Sequence, residues 1–259
     1  KYSLLSENNH LRHTLIFSTR GVVFDRNKEK LIENVPTENT EDFLVRKYTN
    51  LGGFSHILGY IKYPSKDSSG FYYSENFEGE DGVEKFWNGE LQGSNGLKII
   101  ETNALGKVES ESVIRPPQDG KNLVLTIDAR IQNKLYEFIN NLANQIGFSG
   151  GAGVISDVHT GEVLALTSYP EYSSEIISKR DDQTTIQKYL QNKDNPFLDR
   201  VVSGLYTPGS IIKPFLAVGA LNEKIIDPMK QILKTPHVSA TMVSRTFPFD
   251  DISFVPVVR

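Results

Sequence analysis

Apolar and polar positions are arranged differently in the two halves of this chain. Up to about residue 118, apolar residues come in short clusters between Ser-, Lys-, Glu- and Gly-rich stretches, which predicts short strands and irregular segments. Gly21-Val22-Val23-Phe24 reads as a short strand that enters a turn at Asp25-Arg26-Asn27-Lys28. Residues 34–48 are polar and mixed. Lys62 to Gly82 reads as a long loop carrying Phe71, Tyr72, Tyr73 and Phe77, aromatics expected to pack on their own half of the chain rather than form a partner patch. From Asp119 the pattern becomes regular. Asn122–Ile127 predicts a strand, and Asp128 an N-cap. Ile131, Leu135, Phe138, Ile139, Leu142 and Ile146 then recur at helical spacing, with Gly147 as the stop. Ala152–Asp157 and Glu162–Tyr169 predict two strands joined at Thr160-Gly161, hence a hairpin. Residues 173–194 read as helical or loose. Phe215, Leu216, Val218, Ala220 and Leu221 form an apolar run ended by Asn222-Glu223-Lys224, and a helix that apolar is expected to be buried. Strand, helix, hairpin and buried helix together predict an α+β layer, an antiparallel sheet covered by helices.

Composition narrows the classes. A chain of 259 residues holds one large or two ordinary domains, and 38% hydrophobic content supports a real core. A net charge of -4 gives no basic footprint for nucleic acid. With no cysteine, disulfides, thiolate catalysis and Cys-based metal sites are excluded. No apolar run approaches the roughly 18 residues of a membrane span. His10, His13, His56, His159 and His237 are scattered, so no metal is expected, and no glycine-rich phosphate loop or other cofactor motif is present. His159 falls in the hairpin turn, where a Ser-His-Asp triad would need unusual geometry.

The candidate chemistry lies in Tyr206-Thr207-Pro208-Gly209-Ser210-Ile211-Ile212-Lys213-Pro214. Pro208-Gly209 supplies a turn, Ser210 suits an N-cap or first-turn position, and Pro214 is tolerated in a first turn. Residues three apart on a helix share a face, so Lys213 can bring its amine to the Ser210 hydroxyl. Serine becomes a nucleophile when a neighbouring group accepts its proton, and a partly desolvated lysine can be that group. A helix start also favours a developing oxyanion. On these nine residues alone, a capping serine with an exposed lysine neighbour is an equal reading.

The same nine residues resemble the nucleophile segment of penicillin-binding proteins, whose Ser-x-x-Lys is followed by Ser-x-Asn and Lys-Thr-Gly elements. The likeness extends along the chain. Gly150 to Tyr172, above all Asp157-Val158-His159-Thr160-Gly161-Glu162-Val163-Leu164-Ala165, resembles the opening hairpin of the transpeptidase domain, and Asn195-Pro196-Phe197-Leu198-Asp199-Arg200 its run-in to the nucleophile. Arg20-Gly21-Val22-Val23-Phe24-Asp25-Arg26-Asn27 is similar to the entry of the non-catalytic pedestal in the monofunctional (class B) members. Phe54-Ser55-His56-Ile57-Leu58-Gly59-Tyr60 and Gly82-Val83-Glu84-Lys85-Phe86-Trp87 are similar to later pedestal segments, and Asn122-Leu123-Val124-Leu125-Thr126-Ile127-Asp128 to the crossing into the catalytic domain. Two departures stand out. Lys28 occupies a turn position where the family has glycine, and the pedestal is short between Pro36 and Phe54.

The later elements do not match. No Ser-x-Asn follows Ser210; the triplets at Ser6–Asn8 and Ser74–Asn76 lie in the pedestal half. Lys234-Thr235 is followed by Pro236, which removes a backbone donor that a substrate-binding strand must present. Residues 151–259 are few for a domain that wraps helices on both sides of its sheet. The expectation is therefore a chain cut short after the Ser-x-x-Lys element, or aberrant over its last residues.

The resemblance implies a β-rich pedestal (dimerisation-type) domain over residues 1–117 and part of a penicillin-binding transpeptidase domain over residues 118–259. It implies a serine-type peptidoglycan D,D-transpeptidase that cross-links stem peptides and is acylated by β-lactams, with Ser210 as nucleophile and Lys213 as its proton acceptor. No cofactor and no metal are implied. Implied partners are stem peptides, β-lactams and a membrane-embedded glycosyltransferase or other wall-synthesis protein. The implied location is the extracytoplasmic face of the cell membrane, held by an N-terminal anchor that this chain, beginning at Lys1, does not contain. Two alternatives remain: a non-catalytic wall-synthesis scaffold or inactive fragment, favoured by the missing elements, and a β-lactam sensor or hydrolase, disfavoured by the pedestal matches.

Overall fold

The computed structural model describes residues 11–37, 40–102 and 108–225. The chain divides into two compact units, the first ending at Asp199 and the second beginning at Arg200. The first unit opens with β1 (Leu11–Ile16), β2 (Val23–Phe24), β3 (Lys30–Thr37) and β4 (Thr40–Tyr48). Short elements follow: α1 (Ser55–Leu58), β5 (Ile61–Lys62), β6 (Ser65–Lys66), β7 (Tyr72–Ser74), β8 (Glu78–Gly79), α2 (Gly82–Phe86) and α3 (Asn88–Leu91). Then come β9 (Gly96–Thr102), β10 (Val108–Arg115), β11 (Leu123–Val124), the long helix α4 (Ala129–Ile146), β12 (Gly151–Ser156), β13 (Val163–Tyr169), α5 (Ser174–Lys179) and α6 (Gln183–Gln191). The mixture of separate sheets and helices is α+β, as expected.

Strands β11, β2, β3 and β4 form one sheet, with β11 parallel to β2 and the rest antiparallel. Strands β1, β9 and β10 form a second, antiparallel sheet. Residues 34–48, mixed in polarity, are mostly a hairpin. Strand β3 pairs with β4 in a register that sets Ile32 opposite Tyr48 and Asn34 opposite Arg46. Of its polar positions, Asn34 and Arg46 belong to a buried ionic cluster, whereas Glu33 and Lys47 pair at the surface. The supposed loop from Lys62 to Gly82 is likewise two nested ribbons, β5 with β8 and β6 with β7. Asp67 closes the inner one by accepting the N–H groups of Ser69 and Phe71. Its aromatics divide: Tyr72 and Phe77 meet Phe17 edge-on at 4.9 and 6.2 Å, whereas Phe71 and Tyr73 are exposed.

The turn after β2 places a non-glycine residue in the left-handed region. Lys28 takes φ of +68°, a conformation that usually favours glycine. The buried Asp25 carboxylate holds it there by accepting the N–H groups of Asn27 and Glu29 at 2.7 and 2.8 Å. The other carboxylate oxygen of Asp25 accepts the N–H of Ala129, so the turn reaches the start of α4.

Val23, Leu31, Ile32, Tyr48, Phe54, Leu58, Leu91, Ile127 and Ala129 form one buried cluster, which continues from the β2–β4 sheet to the start of α4. Asp128 caps α4 as predicted, its side chain accepting from Arg130 and Ile131, and Gly147 ends it in the left-handed conformation at φ of 85°. The helix lies on the β12–β13 hairpin. Gly151 and Gly153 permit the approach: a Cβ there would stand 2.8 Å from Ile139 and 3.1 Å from Leu135. Residues 173–194 contain two helices, α5 capped by Ser173 and α6 capped by Asp182.

In the second unit the described residues are 200–225. They hold a turn, a single 3-10 turn over Gly209–Ile212 and the helix α7 (Lys213–Asn222).

Candidate active site

Ser210 is the second residue of the 3-10 turn, and Lys213 is the first of α7. Pro208 precedes the turn, Gly209 enters it at φ of +58°, and Pro214 sits in the first turn of α7, where its absent N–H costs nothing. The Lys213 N–H donates to the Ser210 carbonyl, which fixes the two residues one 3-10 turn apart. With about three residues per turn, positions i and i+3 lie one above the other. The local backbone thus gives the Ser-x-x-Lys spacing the shared face that acyl-transfer chemistry requires. Pro208, the residue before this turn, gives it no side-chain cap.

One expectation fails. Helix α7 is not buried: Phe215 and Val218 are 66% and 65% exposed, and Ser210 and Lys213 are exposed as well. Its apolar residues lie around the helix rather than along one stripe, so no single contact could cover them. Lys234, Thr235, Ser239 and Ser244 lie outside the described residues, as do His10 and His237.

Two groups of side chains in the first unit escaped the sequence reading. Glu84 is fully buried between two arginines. Its Oε2 accepts from Arg20 Nε at 2.7 Å and its Oε1 from Arg46 Nε at 2.8 Å. Arg46 also donates to the Gly21 carbonyl and to Asn34, whose amide donates to the Arg20 carbonyl. Burial pushes the Arg20 guanidinium below its ordinary pKa, while Glu84 pulls it back up. Arg20 Nη1 is buried with no hydrogen-bond partner among the described residues.

The second group surrounds Glu171, two residues past β13. Its Oε1 accepts from Gly53 N–H at 2.7 Å and its Oε2 from Ser55 N–H at 2.9 Å. Desolvation raises this carboxyl above its ordinary range, and those N–H groups oppose the rise. Gln132 on α4 is fully buried and bridges the same loop to the hairpin. It exchanges two 2.7 Å bonds with Leu166 and donates to the Gly53 carbonyl. The only hint in the sequence was the type of residue: a glutamine on the apolar face of an amphipathic helix.

Two family models match the chain. The penicillin-binding protein dimerisation domain covers residues 38–125, and the penicillin-binding protein transpeptidase domain covers residues 151–243, which includes Ser210 and Lys213. The peptidoglycan D,D-transpeptidase MrdA of Salmonella typhimurium is 30% identical over 200 residues, 74% of this chain and 31% of the relative. The peptidoglycan D,D-transpeptidase FtsI of Buchnera aphidicola is 31% identical over 161 residues, 62% of this chain and 26% of the relative. Among solved structures, the Helicobacter pylori penicillin-binding protein PBP2 in complex with MreC matches with a TM-score of 0.63 and 25% identity, covering 84% of this chain and 53% of that one. Pseudomonas aeruginosa PBP2 in complex with WCK 5153 matches with a TM-score of 0.62 and 28% identity, covering 87% and 47%. The chain thus spans about a third of the length of the curated relatives and half that of the solved ones. With both models in the expected order, and relatives and solved structures agreeing, the chain belongs to the class B penicillin-binding proteins, with the fold of a pedestal followed by a transpeptidase domain.

Proposed function

We propose that the gene product carrying this chain is a peptidoglycan D,D-transpeptidase. The observation that carries the reading is the Ser210-x-x-Lys213 helix start inside the segment that matches the transpeptidase model. Ser210 Oγ attacks the carbonyl carbon between the two terminal D-alanines of a stem peptide, and its proton passes to Lys213 Nζ. The Ser210 N–H, in a helical first turn, supplies one oxyanion donor. Collapse of the tetrahedral intermediate breaks the C–N bond. Lys213 returns the proton to the leaving amine, and D-alanine departs. The amine of a neighbouring stem then attacks the acyl-serine, forming the cross-link and freeing Ser210. A β-lactam acylates the same oxygen by opening its ring amide.

The domain division follows the same reading: a pedestal over residues 1–117 and a transpeptidase domain from residue 118. The names of the relatives support wall synthesis as the process. The MreC complex of the H. pylori relative supports a wall-synthesis protein as partner, and a membrane-embedded glycosyltransferase is the finer proposal. The location that fits is the extracytoplasmic face of the cell membrane.

The test is mass spectrometry of the full-length gene product after incubation with benzylpenicillin. One penicilloyl adduct is expected, mapped to Ser210 and absent in Ser210→Ala. An adduct that survives in that variant overturns the assignment. A second reading is a wall-synthesis scaffold whose pedestal binds a partner while the serine stays unacylated. Retained partner binding with no adduct on the intact protein would select it.

A further inference from the structure

Glu171 is a desolvated carboxylate that makes no ion pair among the described residues. It borders a cavity of about 270 Å³ that lies wholly within the first unit. The cavity is lined by the chain from Tyr48 to Gly52, by α1 and the residue before it, and by residues 171–175 at the approach to α5. Leu51, Phe54 and Leu58 make part of its wall apolar. The Gly53 and Ser55 N–H groups solvate the Glu171 carboxylate at 2.7 and 2.9 Å without neutralising it. A charge drawn out of water is normally held beside an opposite one.

The other groups around the cavity do not supply that charge. Among the described residues no lysine, arginine or histidine lines it. Glu175 lines it too, but Lys179 takes that carboxylate at 2.5 Å. The start of α5 does not call for an anion either, because Ser173 accepts the Ile176 N–H and Glu175 stands in the first turn. The unmatched charge facing the space is therefore that of Glu171. Ser174 lines the same cavity, and its Oγ is buried with no hydrogen-bond partner among the described residues. A buried hydroxyl left unpaired is costly.

We propose that this cavity binds the ammonium group of an aliphatic primary amine, with Glu171 as its counter-ion. An ammonium brings three donors, for which Glu171 and the Ser174 hydroxyl are acceptors. The alkyl chain lies along Leu51, Phe54 and Leu58. Such a group comes either from a free alkylamine or from a lysine-type side chain on a peptide. Binding here requires no acylation of Ser210, so the site stands whether or not the transpeptidase reading does.

The test titrates the full-length gene product with n-butylamine, with n-butanol as its neutral counterpart and with butyrate as its anionic one. It reads the heat of binding and amide hydrogen exchange along the chain. Butylamine should bind on the order of 10- to 100-fold more tightly than butanol, the factor that a hydrogen bond to a charged group confers. It should slow exchange in peptides spanning 48–58 and 171–175. Glu171→Gln should remove the preference for butylamine. Ser174→Ala, which leaves the Glu171 bonds in place, should weaken butylamine several-fold. A parallel titration with Nα-acetyl-lysine amide separates the two sources. Binding as tight as that of butylamine extends the site to amines carried on peptides, and binding of butylamine alone restricts it to free amines.

Butylamine that binds no more tightly than butanol overturns the proposal. So does butyrate that binds more tightly than butylamine, which would make the cavity an anion site. A preference for butylamine that survives in Glu171→Gln overturns it as well. Should that variant fail to fold, unchanged affinity in Ser174→Ala with unchanged exchange over 171–175 would overturn it in the same way.

Discussion

Glu84 receives two guanidinium groups where water does not reach, and that arrangement governs what substitution there does. An isolated buried ion is expensive, and removing one partner of a buried pair leaves the other uncompensated. Glu84→Gln keeps the shape, removes the only anion in contact with Arg20 and Arg46 among the described residues, and leaves two buried cations facing each other. The expected loss of folding stability is about 3–5 kcal/mol, read as a lower denaturant midpoint. Glu33→Gln is the control: Glu33 meets Lys30 and Lys47 at the surface, where ion pairs contribute roughly 0–1 kcal/mol. Equal midpoints for the two variants would show that the cluster is not what holds β2, β4 and α2 together. None of this could be read from composition. Arg20, Arg46 and Glu84 look like ordinary surface charges in sequence, and only the β3–β4 register turns Arg46 inward beside Asn34. Ser210 and Lys213 could be singled out for the opposite reason: the chemistry proposed for them depends on local spacing, which the sequence carries directly.

The elements that sequence reading recovered best are those whose signals are local. Asp128 and Gly147 bracket α4 because a side-chain acceptor and a left-handed glycine satisfy helix ends without help from the rest of the fold. The two-residue strands β5, β6 and β8 were missed because strands that short have no period to detect and depend on their partners. The misjudged α7 shows the limit of composition: an apolar run predicts a helix, but what covers it is a long-range matter. The α4 cap offers a test at this scale. Asp128 accepts from Asn27 as well as from the helix N–H groups, and these bonds, the Asn27 amide foremost, hold its carboxyl below the ordinary range. A carboxyl lowered in the folded state adds stability above its unfolded pKa, about 3.9, and loses it as pH falls through the folded value. Asp128→Ala should therefore cost roughly 1–2 kcal/mol at neutral pH, with the gap to wild type closing as the solution is acidified below about pH 4. Asp128→Asn, still a good cap, should cost less and show no such closure. A gap that stays constant down to pH 2 would mean that the carboxylate charge is not what stabilises the helix start.

For the molecule as a whole, burial is uneven. The first unit is closed around a core that runs from Val23 to Ala129, yet α4 leaves part of its apolar face open. Ile131, Phe138, Leu142 and Ile146 recur at spacings that place them on the same helix face as Leu135 and Ile139, which meet β12. Phe138 is 67% exposed and Ile146 62%, and Val154 and Ile155 of β12 are also open. Contiguous apolar surface of this kind is uncommon on soluble monomers and drives association when nothing covers it. Strand β12 adds to it, because among the described residues it pairs only with β13, and an open strand edge is a template for pairing. The polypeptide of residues 1–259 should therefore self-associate with rising concentration, seen as a mass above 29.1 kDa in light scattering at tens of micromolar or more. Phe138→Lys together with Ile146→Lys should return it toward the monomer mass without altering the circular dichroism of α4, since neither side chain belongs to the buried cluster. A wild-type chain that remains monomeric throughout would show that the stripe is too small or too interrupted to drive association. A lysine variant that still associates would move the contact to β12 or α7, and the same measurement on Val154→Lys and Phe215→Lys would separate those two.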